Sequence, residues 1–219
     1  MYRYLLFDLD GTLTDPKAGI TRCVQYALEK FNIFEPDPDR LTPFIGPPLA
    51  ESFQKYYGLD SAQAARAISY YRERFETTGI LENEVLPGIP GMLEALAERG
   101  KILAVASSKP EPYCIRILEA FGIRDYFTEV TGAEMDESIR CAKPDVIREC
   151  MRRLRIPEDE KDKVLMIGDR RHDAEGAQAC GIDSLGVYFG YAGEGELEAA
   201  KADYILCTVP EMREFLLSH

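Results

Sequence analysis

No stretch of the sequence approaches the roughly 20 apolar residues that cross a bilayer as a helix. The start, where Tyr4 to Phe7 already reads as a strand, lacks the form of a signal peptide. Positive charge is scarce: 26 Lys and Arg stand against 38 Asp and Glu, a formal net charge of −12. That balance argues against a surface that binds a nucleic-acid polymer through its phosphates, and an anionic ligand would need a local positive site. Metal-type cysteine spacing is missing too. The six cysteines (Cys23, Cys114, Cys141, Cys150, Cys180, Cys207) form no C-x-x-C pair and have no matching histidine pattern, which disfavours zinc. They read as reduced core thiols of a cytoplasmic protein. There is no internal repeat and no low-complexity segment, and 219 residues suffice for one large core or for a core plus a smaller domain.

What is present is alternation. Continuous apolar runs bounded by turn residues occur at Tyr4 to Leu9, Ile102 to Ala106, Val164 to Gly168 and Ser184 to Tyr188, with a weaker one at Tyr204 to Cys207. Such runs suit strands covered on both faces. Between them lie helical stripes: Ile89, Met92, Leu93 and Leu96, closed by Gly100; Cys114, Ile117, Leu118 and Phe121, closed by Gly122; and Val146, Ile147, Cys150, Met151 and Leu154. Strand and helix in turn predict an α/β fold, a parallel sheet with helices on both faces.

The segment from Lys17 to about Leu81 breaks the alternation. Ile20, Cys23, Val24, Ala27, Leu28 and Phe31 line one helical face, and Ala64, Ala67, Ile68, Tyr71 and Phe75 line another. Between them, "EPDPDRLTPFIGPPLAESF" carries five prolines and a glycine. This predicts an inserted all-α domain over 16–85, with a core domain made of 1–15 and 86–219 and hinges near Asp15 to Pro16 and Leu86 to Gly88. Phe44, Phe53, Tyr56 and Tyr57 read as core at helical spacing, and "FIGPPL" as a stiff candidate specificity loop.

Asp8 and Asp10 leave the first strand at its carboxyl end, where open parallel sheets bind ligands. Asp10-Gly11 alone reads as a turn. A calcium loop counted from Asp8 would need Gly and Glu where Leu13 and Gly19 stand, so that alternative fails. Three more features follow strands and should reach the same edge. "AVASSKP" gives Ser107 and Ser108 before a helix opened by Pro110; "CAKPDVI" puts Lys143 at a helix start; "MIGDRRHDAEGA" gives Asp169 and Asp173 in a turn entering a helix.

D-x-D-G-T-L-x-D, a later strand ending in Ser, a Lys ahead of a helix, and G-D-x-x-x-D after another strand together resemble the haloacid dehalogenase superfamily of hydrolases, over nearly the whole chain. The helical insertion is similar to that superfamily's first cap class, on a three-layer Rossmann-like core. The run from Gly168 to Leu197 is similar to the phosphoglycolate phosphatase and 5′-nucleotidase-like branch. The resemblance implies a phosphatase using Mg2+ and a small soluble phosphate monoester. Asp8 would be nucleophile and metal ligand, forming an aspartyl-phosphate. Asp10 would give its backbone carbonyl to the metal, while its side chain protonates the leaving alkoxide and then deprotonates water. Asp169 would complete the metal's protein ligands, and Ser107 and Lys143 would grip the phosphoryl oxygens. Asp173 would orient metal-bound water or Lys143, or ligate the metal itself. Asp15 would cap or hinge. Lys109 is a lesser candidate for the phosphate, and Arg170 and Arg171 read as ordinary ion pairs.

The rival readings are a phosphomutase on the same scaffold and a catalytically silent module that binds a phosphometabolite. Phosphoglycolate, a nucleoside monophosphate, pyrophosphate and a sugar phosphate all stay open as substrates, as do monomer and homodimer.

Overall fold

The computed structural model describes residues 1–135, 140 and 142–219; of the cysteines above, Cys141 lies outside the described residues. In chain order the regular elements are β1 (Tyr4–Phe7), β2 (Thr14–Asp15), α1 (Lys17–Glu29), α2 (Leu49–Tyr57), α3 (Ser61–Phe75), β3 (Glu84–Val85), α4 (Ile89–Glu98), β4 (Ile102–Pro110), α5 (Glu111–Ala120) and β5 (Glu129–Ala133). The remainder is α6 (Lys143–Arg153), β6 (Val164–Gly168), α7 (Arg171–Cys180), β7 (Asp183–Val187), α8 (Glu196–Ala199), β8 (Tyr204–Leu206) and α9 (Val209–Ser218). The chain divides into two compact units, one of Met1–Thr14 with Val85–His219, the other of Asp15–Glu84. Among the described residues no helix is long and apolar enough to cross a membrane.

The larger unit holds a six-stranded sheet of order β5-β4-β1-β6-β7-β8, every pairing parallel. The apolar runs that predict strands all fall in it. β5 has no counterpart among them, because an edge strand reading Glu-Val-Thr-Gly-Ala needs no long apolar run. β1 is buried along its length and lies in the middle, Phe7 registering with Val105 on one side and Ile167 on the other. The chain leaves β1 toward β4 and leaves β6 toward β7, in opposite directions across the sheet. A crevice therefore opens at the carboxyl ends of β1 and β6, where doubly wound sheets take their ligands.

Pleating fixes what lies on each side. Tyr4, Leu6, Ala104, Ala106, Val164 and Met166 share a core cluster with Val146, Ile147, Cys150 and Met151 of α6 and Ala177 and Cys180 of α7. Leu6 and Ile147 are wholly buried, and each such side chain contributes about 1.5–3 kcal/mol. Cys23, Cys114, Cys150 and Cys180 are buried as expected; Cys207, just past the short outer strand β8, is exposed.

In the smaller unit α1 buries Ile20, Cys23, Val24, Ala27 and Leu28, and α3 buries Ala64, Ala67, Tyr71 and Phe75. The stripes that predict these helices are their packed faces. A reciprocal cap between Asp60 and Gln63 starts α3, Phe44 meets Phe53 edge-on at 5.0 Å, and Tyr56 stays exposed. Asp15 accepts the Lys17 N–H at 2.9 Å, closing a turn before α1.

Candidate active site

The ladder continues one residue past β1: the Asp8 N–H donates to the Ile167 carbonyl at 2.8 Å. Alternation puts the Asp8 side chain on the face of Tyr4 and Leu6, which α6 and α7 cover. Lys143 is the first residue of α6, and Asp173 lies in the first turn of α7. The Lys143 ammonium sits 2.9 Å from Asp8 Oδ1 and 2.7 Å from Asp173 Oδ1, and donates to the Ala106 carbonyl at 3.2 Å. Both carboxylate contacts are ion pairs between buried groups. The other Asp173 oxygen accepts the Arg170 N–H at 3.1 Å and so caps α7.

Asp169 follows β6 and is wholly buried. Its Oδ2 accepts the Tyr191 N–H at 2.7 Å and its Oδ1 accepts the Thr12 hydroxyl at 3.3 Å. Gly11 makes room: its φ is +82°, and a Cβ there would lie 2.2 Å from Asp169 Oδ2. The Lys109 ammonium donates to Asp10 Oδ2, while Asp10 Oδ1 is buried with no hydrogen-bond partner among the described residues. Ser107 is buried just beyond Ala106, its Oγ accepting the Lys109 N–H at 3.3 Å.

Crowding of buried carboxylates governs the electrostatics. Burial lifts Asp10 above the usual carboxylate range; Lys109 opposes the shift and Asp8 adds to it. Burial also holds Asp169 well above that range, with Asp173 and Asp8 pushing the same way and the Tyr191 N–H pulling back. Asp173 is pushed up to about 6 by burial, against the pull of Lys143. Burial would depress Lys143, but Asp173 and Asp8 outweigh it and keep its ammonium charged.

These residues fit a hard divalent cation. Asp8, Asp169 and Asp173 each bring one carboxylate oxygen within 4.8 Å of the others, all buried. Oxygen-only donors suit Mg2+ rather than a soft metal, and a second positive group would hold ionised the carboxylates that burial drives toward neutrality.

Asp8, Asp10, Ser107, Lys143, Asp169 and Asp173 lie toward the carboxyl ends of β1, β4 and β6 or at the starts of α6 and α7. Two neighbours carry more of the site than their sequence signals suggest. Lys109 reaches Asp10 rather than open solvent, and Thr12, inside the D-G-T-L run, holds Asp169. Arg170 and Arg171 form the expected ion pairs, with Glu196 at 2.9 Å and Glu175 at 3.3 Å.

A family model described as haloacid dehalogenase-like hydrolase matches residues 5–187. A 5′-nucleotidase of Pseudomonas aeruginosa is 44% identical over 218 residues, covering 100% of this chain and 97% of that protein. Tyrosine-protein kinase PtkA of Mycobacterium tuberculosis is 38% identical over 215 residues, 97% of this chain and 72% of its own length. A crystal structure of a predicted phosphatase from Clostridium acetobutylicum superposes with a TM-score of 0.95 at 42% identity, covering 100% of both chains.

Proposed function

Because the chain belongs to the haloacid dehalogenase-like hydrolase family, we propose that it is a Mg2+-dependent phosphatase that cleaves a small phosphate monoester through a phosphoryl group carried on Asp8. One observation carries the reading: Asp8 stands on the central strand with Lys143 at 2.9 Å and the carboxylates of Asp169 and Asp173 gathered around it.

Asp8, Asp169 and Asp173, with the Asp10 carbonyl, would hold the ion, which when bound neutralises charge on the phosphoryl oxygens. Lys143 and Ser107 bind those oxygens and hold the phosphorus in line with Asp8. An Asp8 oxygen forms a bond to phosphorus as the bond to the leaving oxygen breaks. The electron pair of that bond stays on the leaving oxygen, which takes a proton from the Asp10 carboxyl. In the second half Asp10 accepts a proton from water, the water oxygen attacks phosphorus, and the Asp8–phosphorus bond breaks with its pair returning to Asp8. Burial that favours the protonated form of Asp10 suits the first half, and Lys109 beside it suits the second.

The name of the 44%-identical relative makes a nucleoside 5′-monophosphate the first substrate to try. The test is phosphate release from a panel of nucleotides, phosphoglycolate and sugar phosphates, with Mg2+ and with chelator. Asp8→Asn should abolish release while the protein stays folded. Turnover by Asp8→Asn, or full activity in chelator, would overturn the proposal.

One observation favours a second reading, the mycobacterial relative named as a tyrosine-protein kinase: the phosphoryl group would pass to a protein tyrosine instead of water. Incubation with a γ-labelled nucleoside triphosphate and a tyrosine peptide separates the two. Label in the peptide supports transfer, and label in inorganic phosphate alone supports hydrolysis.

A further inference from the structure

We propose that Lys109 is a positioning residue for Asp10, its ammonium holding the carboxyl where a leaving-group oxygen can meet it. This rests on the reading of Asp10 as acid and base. The two side chains are 8% and 9% exposed, so their charges interact in a weakly screened setting and neither is readily replaced by water. Lys109 takes Asp10 Oδ2. Oδ1, buried and without a hydrogen-bond partner among the described residues, is the oxygen presented to an incoming group.

The backbone is built to put Lys109 there. β4 and β5 are in register at Ala106 with Thr131 and again at Pro110 with Ala133, so four steps along β4 oppose two along β5. Ser107 to Lys109 therefore arch out of the ladder, and a bulge at a strand's end re-aims a side chain. The arch is pinned on both sides: Ser107 Oγ accepts the Lys109 N–H at 3.3 Å, and the buried Cys114 thiol donates to the Lys109 carbonyl at 3.6 Å. Gly132 lets it settle, since a Cβ there would lie 2.6 Å from the Lys109 carbonyl oxygen and 2.5 Å from the Glu111 nitrogen. A solvated surface lysine would need none of this.

A phosphate-gripping lysine and one acting through Asp10 differ in kinetics. An alkoxide leaving group needs the proton from Asp10, whereas a nitrophenolate leaves without it. The experiment compares kcat/KM on an alkyl and a nitrophenyl phosphate, with inhibition by inorganic phosphate, for wild type, Asp10→Asn, Lys109→Met, Lys109→Arg and the double variant D10N/K109M. Asp10→Asn should lose roughly tenfold or more on the alkyl ester beyond its loss on the aryl ester. Lys109→Met should reproduce that skew and leave phosphate inhibition unchanged, Lys109→Arg should recover part of it, and the double variant should be no worse than Asp10→Asn. Equal losses on both esters, weakened phosphate inhibition, or losses that multiply in the double variant would each overturn the proposal. Should Lys109→Met not fold, Lys109→Arg and the double variant, which removes both charges together, carry the test. If Asp10→Asn itself shows no skew, the acid and base reading has failed and the positioning role fails with it; a skew in Asp10→Asn without one at Lys109 rejects the positioning role alone.

Discussion

The ammonium of Lys143 lies 2.7 Å from Asp173 and reaches Asp8 at 2.9 Å, so one buried cation from the start of α6 serves a carboxylate on α7 and another at the end of the central strand. Removing it leaves buried charges unpaired. Lys143→Met should lower the stability of the metal-free protein by about 3–5 kcal/mol and phosphate release by more than roughly 100-fold. Melting in chelator and in Mg2+ checks the first part: the ion should restore much of the stability and none of the turnover.

Gly11→Ala should be among the most damaging single-methyl changes in the chain. Its Cβ would meet Asp169 Oδ2 at 2.2 Å and Oδ1 at 2.9 Å on a backbone with φ +82°. The cost should be at least about 1–3 kcal/mol, with Mg2+ affinity lost beyond the loss of stability. Thermal melts with and without Mg2+ measure both; an unchanged metal-induced shift would contradict the placement of Asp169.

In chelator the protein should lose stability as pH rises from about 4 to 6. Asp173 keeps its proton to about 6 in the fold against an ordinary 3.8, and Asp169 is also raised. These two carboxylates therefore hold more protons in the folded state than in the unfolded chain in that window, and their contribution to stability falls across it, opposed in part by His172, whose pKa burial lowers. Lys143, raised rather than lowered, stays charged throughout and does not reverse the sign. Mg2+ competes with those protons, so its stabilising increment should be larger at pH 7.5 than at pH 5, by a titration of roughly that midpoint. Asp173→Asn in chelator should flatten this dependence relative to wild type, and an unchanged pH profile in that variant would exclude the raised Asp173.

Thiol reactivity should separate the cysteines. Cys207 is exposed and should react with an aromatic disulfide reagent in the native state. Burial pushes Cys150 up to about 12 and raises Cys114 as well, so both should stay unmodified until the protein unfolds. Mass spectrometry of the labelled protein reads this directly.

The parallel core and the residues of the site were legible because both are written in local chemistry. Asp8, Asp169, Ser107 and Lys143 each stand at the junction of an apolar run with a polar turn or a helix start, and parallel strands bring such junctions to one edge. Lys109 was less legible because what places it is a disagreement in register between β4 and β5, a property of a pair of strands that neither strand's sequence declares. Thr12 was hidden for a similar reason: its partner, Asp169, is fixed by the pairing of β1 with β6. Cys207 differed from expectation because the apolar character of β8 continues only to Leu206.

The placement of β1 also bears on synthesis. Its two neighbours begin at Ile102 and Val164, so β1 gains its second flank only after about 150 further residues have been made. Until β6 emerges, four wholly apolar or aromatic residues wait with an open edge, and closing such distant pairs is slow. Nascent chains arrested before Val164 should lean on chaperones, and those released after it should not.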